Sequence, residues 1–285
     1  MRYLEPSRDI RAAWQHNNLC YNVAGLLIER ASGQSYETFV RARLTDKLGM
    51  TVSFTLDDLE ASVDATRPYA IHEDTRLLAI RLPVGTIAAG AINTSAADLA
   101  NWMRLHLGKG EFGGERLLAA TLIDALHAPR VYYTEPGFAE FGQAHYGLGF
   151  RRQSYRGDQL VWHGGGLVGW GARMTLVPDF GIGVAVLTNR SPSEVPTTLT
   201  CYIIDRLCGR EPIDWRERFR KKRKELLAQM QGTKTCGTRP VAGIRCRRTT
   251  SPIMQATMSI RPTARCRSEC GTELCTGHGA ACSRQ

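Results

Sequence analysis

Apolar side chains recur every three or four positions through the first half of the chain, which is the period of amphipathic helices. This pattern predicts four helices, over residues 17–31, 35–50, 94–110 and 117–129. Asn17 or Asn18 can cap the first helix, and Gly33 is placed to end it. Residues 51–85 show no sustained period, so we expect irregular backbone with short strand-like pieces there.

The second half of the chain is built differently, from short runs rich in β-branched and aromatic residues that are separated by turn residues. Four of these runs read as strands: YGLGFRRQ, DQLVWH, GARMTLVP and IGVAVLTN. Short connections favour antiparallel pairing. Two more helices are predicted after the strands, over residues 193–209 and 215–231. Together these elements predict an α+β domain, with an antiparallel sheet flanked by helices and a helical lobe.

The apolar pattern stops at Gly232. The last 54 residues contain no aromatic side chain and no sustained period, so they cannot bury enough apolar surface to offset the entropy of ordering them. The chain is therefore predicted to comprise a folded part at 1–210, a basic helix or linker at 211–231, and a disordered tail at 232–285. Translation in a shifted reading frame is one hypothesis for such a tail.

The net charge of +10 is concentrated in this tail, which carries nine Lys or Arg and two Asp or Glu. We therefore expect no nucleic-acid partner, although the basic helix and the Arg-rich tail keep that alternative open. The tail also holds six of the nine cysteines, and their spacing is not that of a zinc knuckle. The other three, Cys20, Cys201 and Cys208, are predicted to be free, buried thiols. No run of 18 apolar residues occurs, so no membrane span is expected. The sequence assigns neither compartment nor oligomeric state.

The stretch VWHGGGLVGW, residues 161–170, is the strongest candidate for chemistry. It contains G-x-G-x-x-G, but a dinucleotide loop needs a helix after it, and here two strands follow. An HGGG oxyanion loop of α/β-hydrolases needs a G-x-S-x-G elbow, which the chain lacks. The remaining interpretation is a strand at the edge of a site, where glycines let a ligand approach the main chain closely.

Four stretches together resemble the serine β-lactamase-like hydrolases, which include class C β-lactamases, penicillin-binding DD-peptidases, family VIII esterases and D-aminopeptidases. They occur in the family's order: QHNNLCYNVAGLLIERASGQSYETFVRARLTDKLGM, AAGAINTSAADLANWMRLHLGKGEFGGERLL, YGLGF and VWHGGGLVGWGARMTLVPDFGIGVAVLTN. The resemblance covers about residues 1–210. It implies a β-lactamase/transpeptidase-like fold, and hydrolysis of amide, lactam or ester bonds through a serine acyl-enzyme. No metal or organic cofactor is implied.

The family's site has a Ser-x-x-Lys, a Tyr-x-Asn and a Lys/His-x-Gly element. By this resemblance His163 matches the start of the third element, with Gly164 and Gly165 after it. His163 would present a donor near the nucleophile or to a substrate carboxylate. The N–H of Gly166 would be an oxyanion donor. A structural histidine at a sheet edge is the alternative interpretation of His163.

The second element corresponds to His16-Asn17-Asn18, in which an imidazole stands where the family has a phenol. By the resemblance, Asn18 would bind a substrate amide. An imidazole at position 16 can move protons near neutral pH, but His16 can also simply precede a helix.

The first element is absent, because no serine is followed three positions later by lysine, and only 15 residues precede His16. We therefore expect a fragment that begins after the nucleophile and is inactive as it stands. Apolar surface should then be exposed on the helices at 17–49 and the hairpin at 172–189. The expected ligand is a small-molecule or peptide acyl substrate. A non-catalytic binding or scaffold protein that uses the retained cleft is the alternative.

Overall fold

The structure, a computed structural model, describes residues 5–9, 12–72, 75–78, 87–134 and 137–233. The chain divides into two units, Met1–Ala228 and Gln229–Gln285. Among the described residues, every helix and strand lies in the first unit except the end of the last helix. The predictions made for the tail, including disorder, a shifted reading frame and the zinc hypothesis, fall outside the described residues apart from 232 and 233.

The first helix forms where the pattern predicts it. Helix α1 (Asn18–Ser32) is capped by the side chain of Asn17, which accepts a hydrogen bond from the N–H of Leu19. It ends at Gly33, whose φ of 70° is a left-handed conformation that glycine adopts without strain. The predicted cap and the predicted stop are both confirmed.

The second predicted helix is shorter than expected. Helix α2 (Tyr36–Val40) is capped by Ser35, and a π-helical turn (Arg41–Thr45) follows it directly. The remaining predicted positions, up to residue 49, form turns. Val40, Leu48 and Met50 of this segment still share one core, and Tyr36 packs against it.

Residues 51–85 contain more regular structure than predicted. Helix α3 (Leu56–Ala61) is capped by Thr55 and follows an otherwise irregular stretch. Strands β1 (Tyr69–His72) and β2 (Thr75–Leu78) pair antiparallel. The prediction missed α3 because six residues are too few to display a helical period.

The other helices of the lobe follow in chain order: α4 (Ile87–Gly90), α5 (Ala96–Leu107) and α6 (Ala120–His127). Ser95 caps α5 by accepting from the N–H of Asp98, as serine commonly does at the start of a helix. The short strands β3 (Glu111–Phe112) and β4 (Glu115–Arg116) form a hairpin between α5 and α6. The buried core of this lobe consists of Val40, Leu48, Met50, Val52, Phe54 and Leu105.

The main sheet has six strands in chain order, each antiparallel to the next. They are β5 (Val131–Tyr133), β6 (Phe141–Tyr146), β7 (Arg151–Tyr155), β8 (Asp158–Leu167), β9 (Trp170–Val177) and β10 (Ile182–Thr188). The pattern predicted the last four. Strands β5 and β6 were missed because one is three residues long and the other alternates poorly. The YGLGF stretch is wrong as a strand: it is the end of β6 and the loop before β7.

Strand residues alternate between the two faces of the sheet. Both faces carry apolar side chains, and helices cover both. Helix α7 (Val195–Leu207) and the start of α8 (Trp215–Thr233) pack on one face, in a core that includes Trp162, Val184, Val186, Ile204 and Trp215. Met103 of α5 packs on the other face, in a core with Val161, Met174 and Leu176. Each fully buried apolar side chain stabilises the fold by about 2 kcal/mol. This is the α+β architecture that the pattern predicts.

A buried polar network fastens α7 and α8 to the sheet. The carboxylate of Asp205, which is fully buried, accepts a hydrogen bond from the hydroxyl of Tyr155 at 2.8 Å and forms an ion pair with the guanidinium of Arg156 at 2.9 Å. The indole N–H of Trp215 donates to the same Tyr155 hydroxyl at 3.0 Å. Because the carboxylate is paired and hydrogen-bonded, its burial is tolerated.

Several apolar side chains are exposed on the surface. They include Leu19, Leu26 and Leu27 on α1, and Phe180 and Leu187 in the β9–β10 hairpin. The prediction that all three thiols of the folded part are buried is wrong for Cys20, which is exposed; Cys201 is buried and Cys208 is half-buried. Within the described ranges, no helix is both long and apolar enough to cross a membrane.

Candidate active site

Strand β8 extends past its neighbour β7. The last residue pair between the two strands is Arg151 with Trp162, whereas β8 continues to Leu167 and stays paired with β9. Residues 163–167 therefore have a strand on one side only, among the residues that the structure describes. We call this segment the free edge of β8. It coincides with the glycine-rich stretch of the sequence.

The strand register fixes which backbone groups point out of the free edge. Two-residue turns close both hairpins of β8, one flanked by Tyr155 and Asp158 and the other by Leu167 and Trp170. Residues that flank such turns bond to each other, and the direction of N–H and C=O alternates along a strand. The N–H and C=O groups of Gly164 and Gly166 therefore point to the open side. The N–H of Gly166 can donate a hydrogen bond to a carbonyl oxygen lying there.

The fold itself needs only one of the four glycines in this stretch. Gly169 has a φ of 88°, and a Cβ there would lie 2.3 Å from the Cβ of Pro68. Gly164, Gly165 and Gly166 have no left-handed φ, and a Cβ on Gly165 would meet nothing within 4 Å. The small residues of the free edge thus leave open space, which suits close approach by a ligand.

His163 is held at the start of the free edge by the phenol of Tyr146, which a second phenol contacts in turn. Its Nε2 lies 3.1 Å from the hydroxyl of Tyr146 on β6, which in turn lies 3.4 Å from the hydroxyl of Tyr21 on α1. The rings of Tyr146 and His163 pack edge-on, with centroids 6.0 Å apart. Both residues are half-buried.

The surroundings of His163 favour its neutral form. Burial lowers the pKa of its imidazole below the ordinary value, and the guanidinium of Arg151 lowers it further. The ring of His16 adds a smaller lowering of that pKa, while a hydrogen bond with the backbone of Gly164 opposes it. Because Nε2 faces Tyr146, the Gly164 bond engages Nδ1. Both ring nitrogens thus have protein partners, so a ligand that contacts one of them must displace a partner.

The segment before α1 packs beside His163. Trp14 stacks on Tyr133 and Tyr146, with ring centroids 4.9 and 5.6 Å apart, and His16 lies near enough to influence His163. Asn18 is the first residue of α1 and lies three positions before Tyr21. Residues three apart share a helix face, so Asn18 lies on the face that Tyr21 turns toward Tyr146. The structure therefore brings the two predicted site regions together.

Sequence reasoning missed four residues of this site: Trp14, Tyr21, Tyr146 and Arg151. Arg151 stacks on three aromatic rings, those of Trp14, Tyr133 and Trp162, at 4.8–5.5 Å. The YGLGF stretch pointed to Tyr146, but only the register that pairs Tyr146 with Arg151 places both near His163. In the described part of the chain, no three His, Cys, Asp or Glu side chains are grouped as metal ligands would be.

Comparisons with known proteins identify relatives of the chain. A family model described as Beta-lactamase matches residues 1–204. The chain is 24% identical over 241 residues to the unguisins hydrolase ungD' of Aspergillus campestris, which covers 79% of this chain and 43% of that hydrolase. The chain thus spans less than half the length of that relative.

Two solved structures report on the fold. The octameric penicillin-binding protein homologue from Pyrococcus abyssi has a TM-score of 0.63 and 27% identity, over 74% of this chain and 47% of that one. A class C beta-lactamase has a TM-score of 0.54 and 16% identity, over 71% of this chain and 60% of its own. These TM-scores show that both proteins share this chain's fold, in which helices flank an antiparallel sheet.

Proposed function

Because the chain belongs to the Beta-lactamase family, we propose that the free edge of β8 and the start of α1 form one wall of a hydrolase site for amide, lactam or ester bonds. The observation that carries this proposal is the open edge at Gly164–Gly166, with backbone groups unpaired by β7 and open space at Gly165. The hydrolase named among its relatives supports the class of reaction.

The glycines of this wall and Asn18 bind the acyl group. An extended acyl chain lies along the free edge, where the missing side chain of Gly165 leaves room for it. The N–H of Gly166 donates to the acyl oxygen, and such a donor contributes about 3 kcal/mol to the transition state. The side-chain amide of Asn18 binds a substrate amide from the opposite side. His163 is neutral and remains hydrogen-bonded to Tyr146.

We propose further that this chain does not turn over substrate by itself. None of the serines in its 285 residues is followed three positions later by lysine. Acyl-enzyme chemistry needs an activated nucleophile. Without one, only the small rate that binding and oxyanion donors supply remains.

Hydrolysis of nitrocefin and p-nitrophenyl acetate tests this proposal. The purified chain should hydrolyse both no faster than the His163→Ala variant, which lacks the imidazole. Turnover clearly above that of the variant would show that the chain carries a working nucleophile, and it would refute the proposed inactivity.

A non-catalytic binding protein is the second candidate function. It is favoured by the combination of an open glycine edge and the missing Ser-x-x-Lys. Fluorescence anisotropy with a fluorescent penicillin or a labelled acyl-peptide separates the two functions. Saturable, reversible binding without turnover, abolished by Gly165→Ala, supports the binding protein, whereas turnover supports the hydrolase. Absence of binding counts against both candidate functions.

A further inference from the structure

Three side chains from three separate elements form a hydrogen-bonded chain that ends at the free edge of β8. Tyr21 on α1 lies 3.4 Å from Tyr146 on β6, measured between hydroxyls, and Tyr146 lies 3.1 Å from Nε2 of His163 on β8. Strands β6 and β8 are not neighbours, since β7 lies between them. The contact therefore spans the gap beyond Arg151, the first residue of β7.

The chain of hydrogen bonds has a direction. Burial raises the pKa of Tyr146, so its phenol stays protonated and serves as a donor. Neutral His163 engages the backbone of Gly164 through Nδ1, which leaves Nε2 as its acceptor. The hydroxyl of Tyr146 is therefore placed to donate to Nε2, and the hydroxyl of Tyr21 lies on its other side, at 3.4 Å.

Packing holds Tyr146 in this geometry. Its ring lies against Trp14, at 5.6 Å between centroids, and Trp14 also contacts Tyr133 on β5. Arg151, the cross-strand neighbour of Tyr146, stacks on Trp14 from β7. The phenol is thus fixed on the sheet side of the site, whereas Tyr21 belongs to the opposing helix.

We propose that Tyr146 is a positioning residue that orients the imidazole of His163 at the free edge, and that Tyr21 couples this orientation to the first turn of α1. The relevance to acyl transfer rests on the proposed function; the coupling itself does not. A movement of α1 changes the hydrogen bond that Tyr146 makes, and so changes how His163 meets a ligand. Asn18 moves with Tyr21, since both lie in the first turn of α1.

Nuclear magnetic resonance of the full chain, with ¹⁵N-labelled histidine, tests this coupling. The pH titration of His163 is followed in the wild type, in Tyr21→Phe, in Tyr146→Phe and in the double variant. Its signals are identified by their loss in His163→Gln. Tyr132→Phe is the matched control, because Tyr132 is exposed on β5 and contacts His145 instead. Arg151 and His16, which also influence His163, stay unchanged in every variant.

The expected result is non-additivity. Tyr146→Phe shifts the pKa of His163 by about half a unit, as loss of one hydrogen bond does, and Tyr21→Phe shifts it by less, because Tyr21 does not touch the imidazole. The double variant matches Tyr146→Phe, because Tyr21 acts only through Tyr146. Additive shifts, or an unchanged titration in Tyr21→Phe, would overturn the proposal. Tyr21 is partly exposed, so Tyr21→Phe decides the matter even if Tyr146→Phe fails to fold.

This measurement involves no substrate, so its failure is distinct from failure of the proposed function. Intact coupling in a chain that binds no acyl probe would remove the functional proposal and leave the positioning of His163 standing. Acyl binding without coupling would remove only the proposal made for Tyr21 and Tyr146.

Discussion

Lowering the pH should destabilise this protein through a buried histidine pair. Nδ1 of His106 on α5 lies 3.0 Å from Nε2 of His127 at the end of α6, and their side chains are 2% and 9% exposed. Phe150 packs against both rings, at 4.9 and 4.8 Å between centroids. One neutral ring donates to the other, so protonation of both rings would place two like charges in contact within the core.

The sign of the effect follows from the pKa values. Burial, with a smaller effect of His127, lowers the pKa of His106 to about 3. Burial lowers the pKa of His127 to about 4, helped by Lys109 and Arg152 and opposed by Asp124. Both values lie below the ordinary 6.5, so the unfolded chain binds protons first as the pH falls. Stability is complete above pH 6.5 and is lost progressively toward pH 4 and 3.

The magnitude is large for a single domain. At pH 5 each histidine is still neutral in the folded protein and mostly protonated in the unfolded chain. This difference costs about 2 kcal/mol for each histidine, or roughly 4 kcal/mol for the pair. Total stabilities are typically about 5–15 kcal/mol, so the pair controls a substantial part of the acid sensitivity.

Urea unfolding followed by circular dichroism at pH 7.5 and pH 5.0 measures this effect. In His127→Gln, which keeps a hydrogen-bonding group but cannot titrate, the loss of stability on acidification should be about 2 kcal/mol smaller than in the wild type. His145→Gln, on β6 and outside the pair, is the matched control and should retain the full loss. An identical loss of stability on acidification in the wild type and in His127→Gln would contradict this prediction, because carboxylates alone would then explain the loss.

Three further predictions concern the free edge, the buried network and the thiols. Gly165→Ala should leave the free energy of unfolding within about 1 kcal/mol of the wild type, because its Cβ meets open space. Gly169→Ala should lower that free energy by about 1–3 kcal/mol through strain at a φ of 88°. Thermal unfolding of both variants checks this, and equal effects would contradict it. Asp205→Asn should destabilise the fold by roughly 3 kcal/mol in urea unfolding, since it removes the buried charge that pairs with Arg156. A loss below about 1 kcal/mol would count against the network. Iodoacetamide should alkylate exposed Cys20 well before buried Cys201, because burial raises the pKa of the Cys201 thiol to about 12. Peptide mass spectrometry measures the order of alkylation, and the reverse order would be inconsistent with the structure.

Local signals allowed much of the fold to be predicted. Asn17, Ser35 and Ser95 cap their helices as their residue types suggest, because a cap depends on only the next few residues. The hairpins around β8 and β9 followed from alternating strand residues and intervening turn residues. Short elements such as α3 and β5 escaped prediction because they carry too few residues to show a period.

The candidate site was predicted only in part, because its geometry depends on pairings between distant residues. His163 and the glycines were found from their own stretch of sequence. The partner of His163, Tyr146, is 17 residues away, and Tyr21 is 125 residues from Tyr146. Those contacts depend on the sheet register and on how α1 packs, and a local sequence pattern determines neither. The exposure of Cys20 was missed for a similar reason. Apolar residues occupy more than one side of α1, so the sequence does not show which side of the helix packs inward.

The most direct test of the account is whether an acyl group binds along the free edge of β8. Amide resonances of ¹⁵N-glycine-labelled chain can be followed while an N-acetylated tripeptide is added. We expect saturable shifts of the Gly164 and Gly166 amides, with the Gly169 amide unchanged. Shifts confined to glycines elsewhere in the chain, with Gly164 and Gly166 unaffected at saturation, would contradict it.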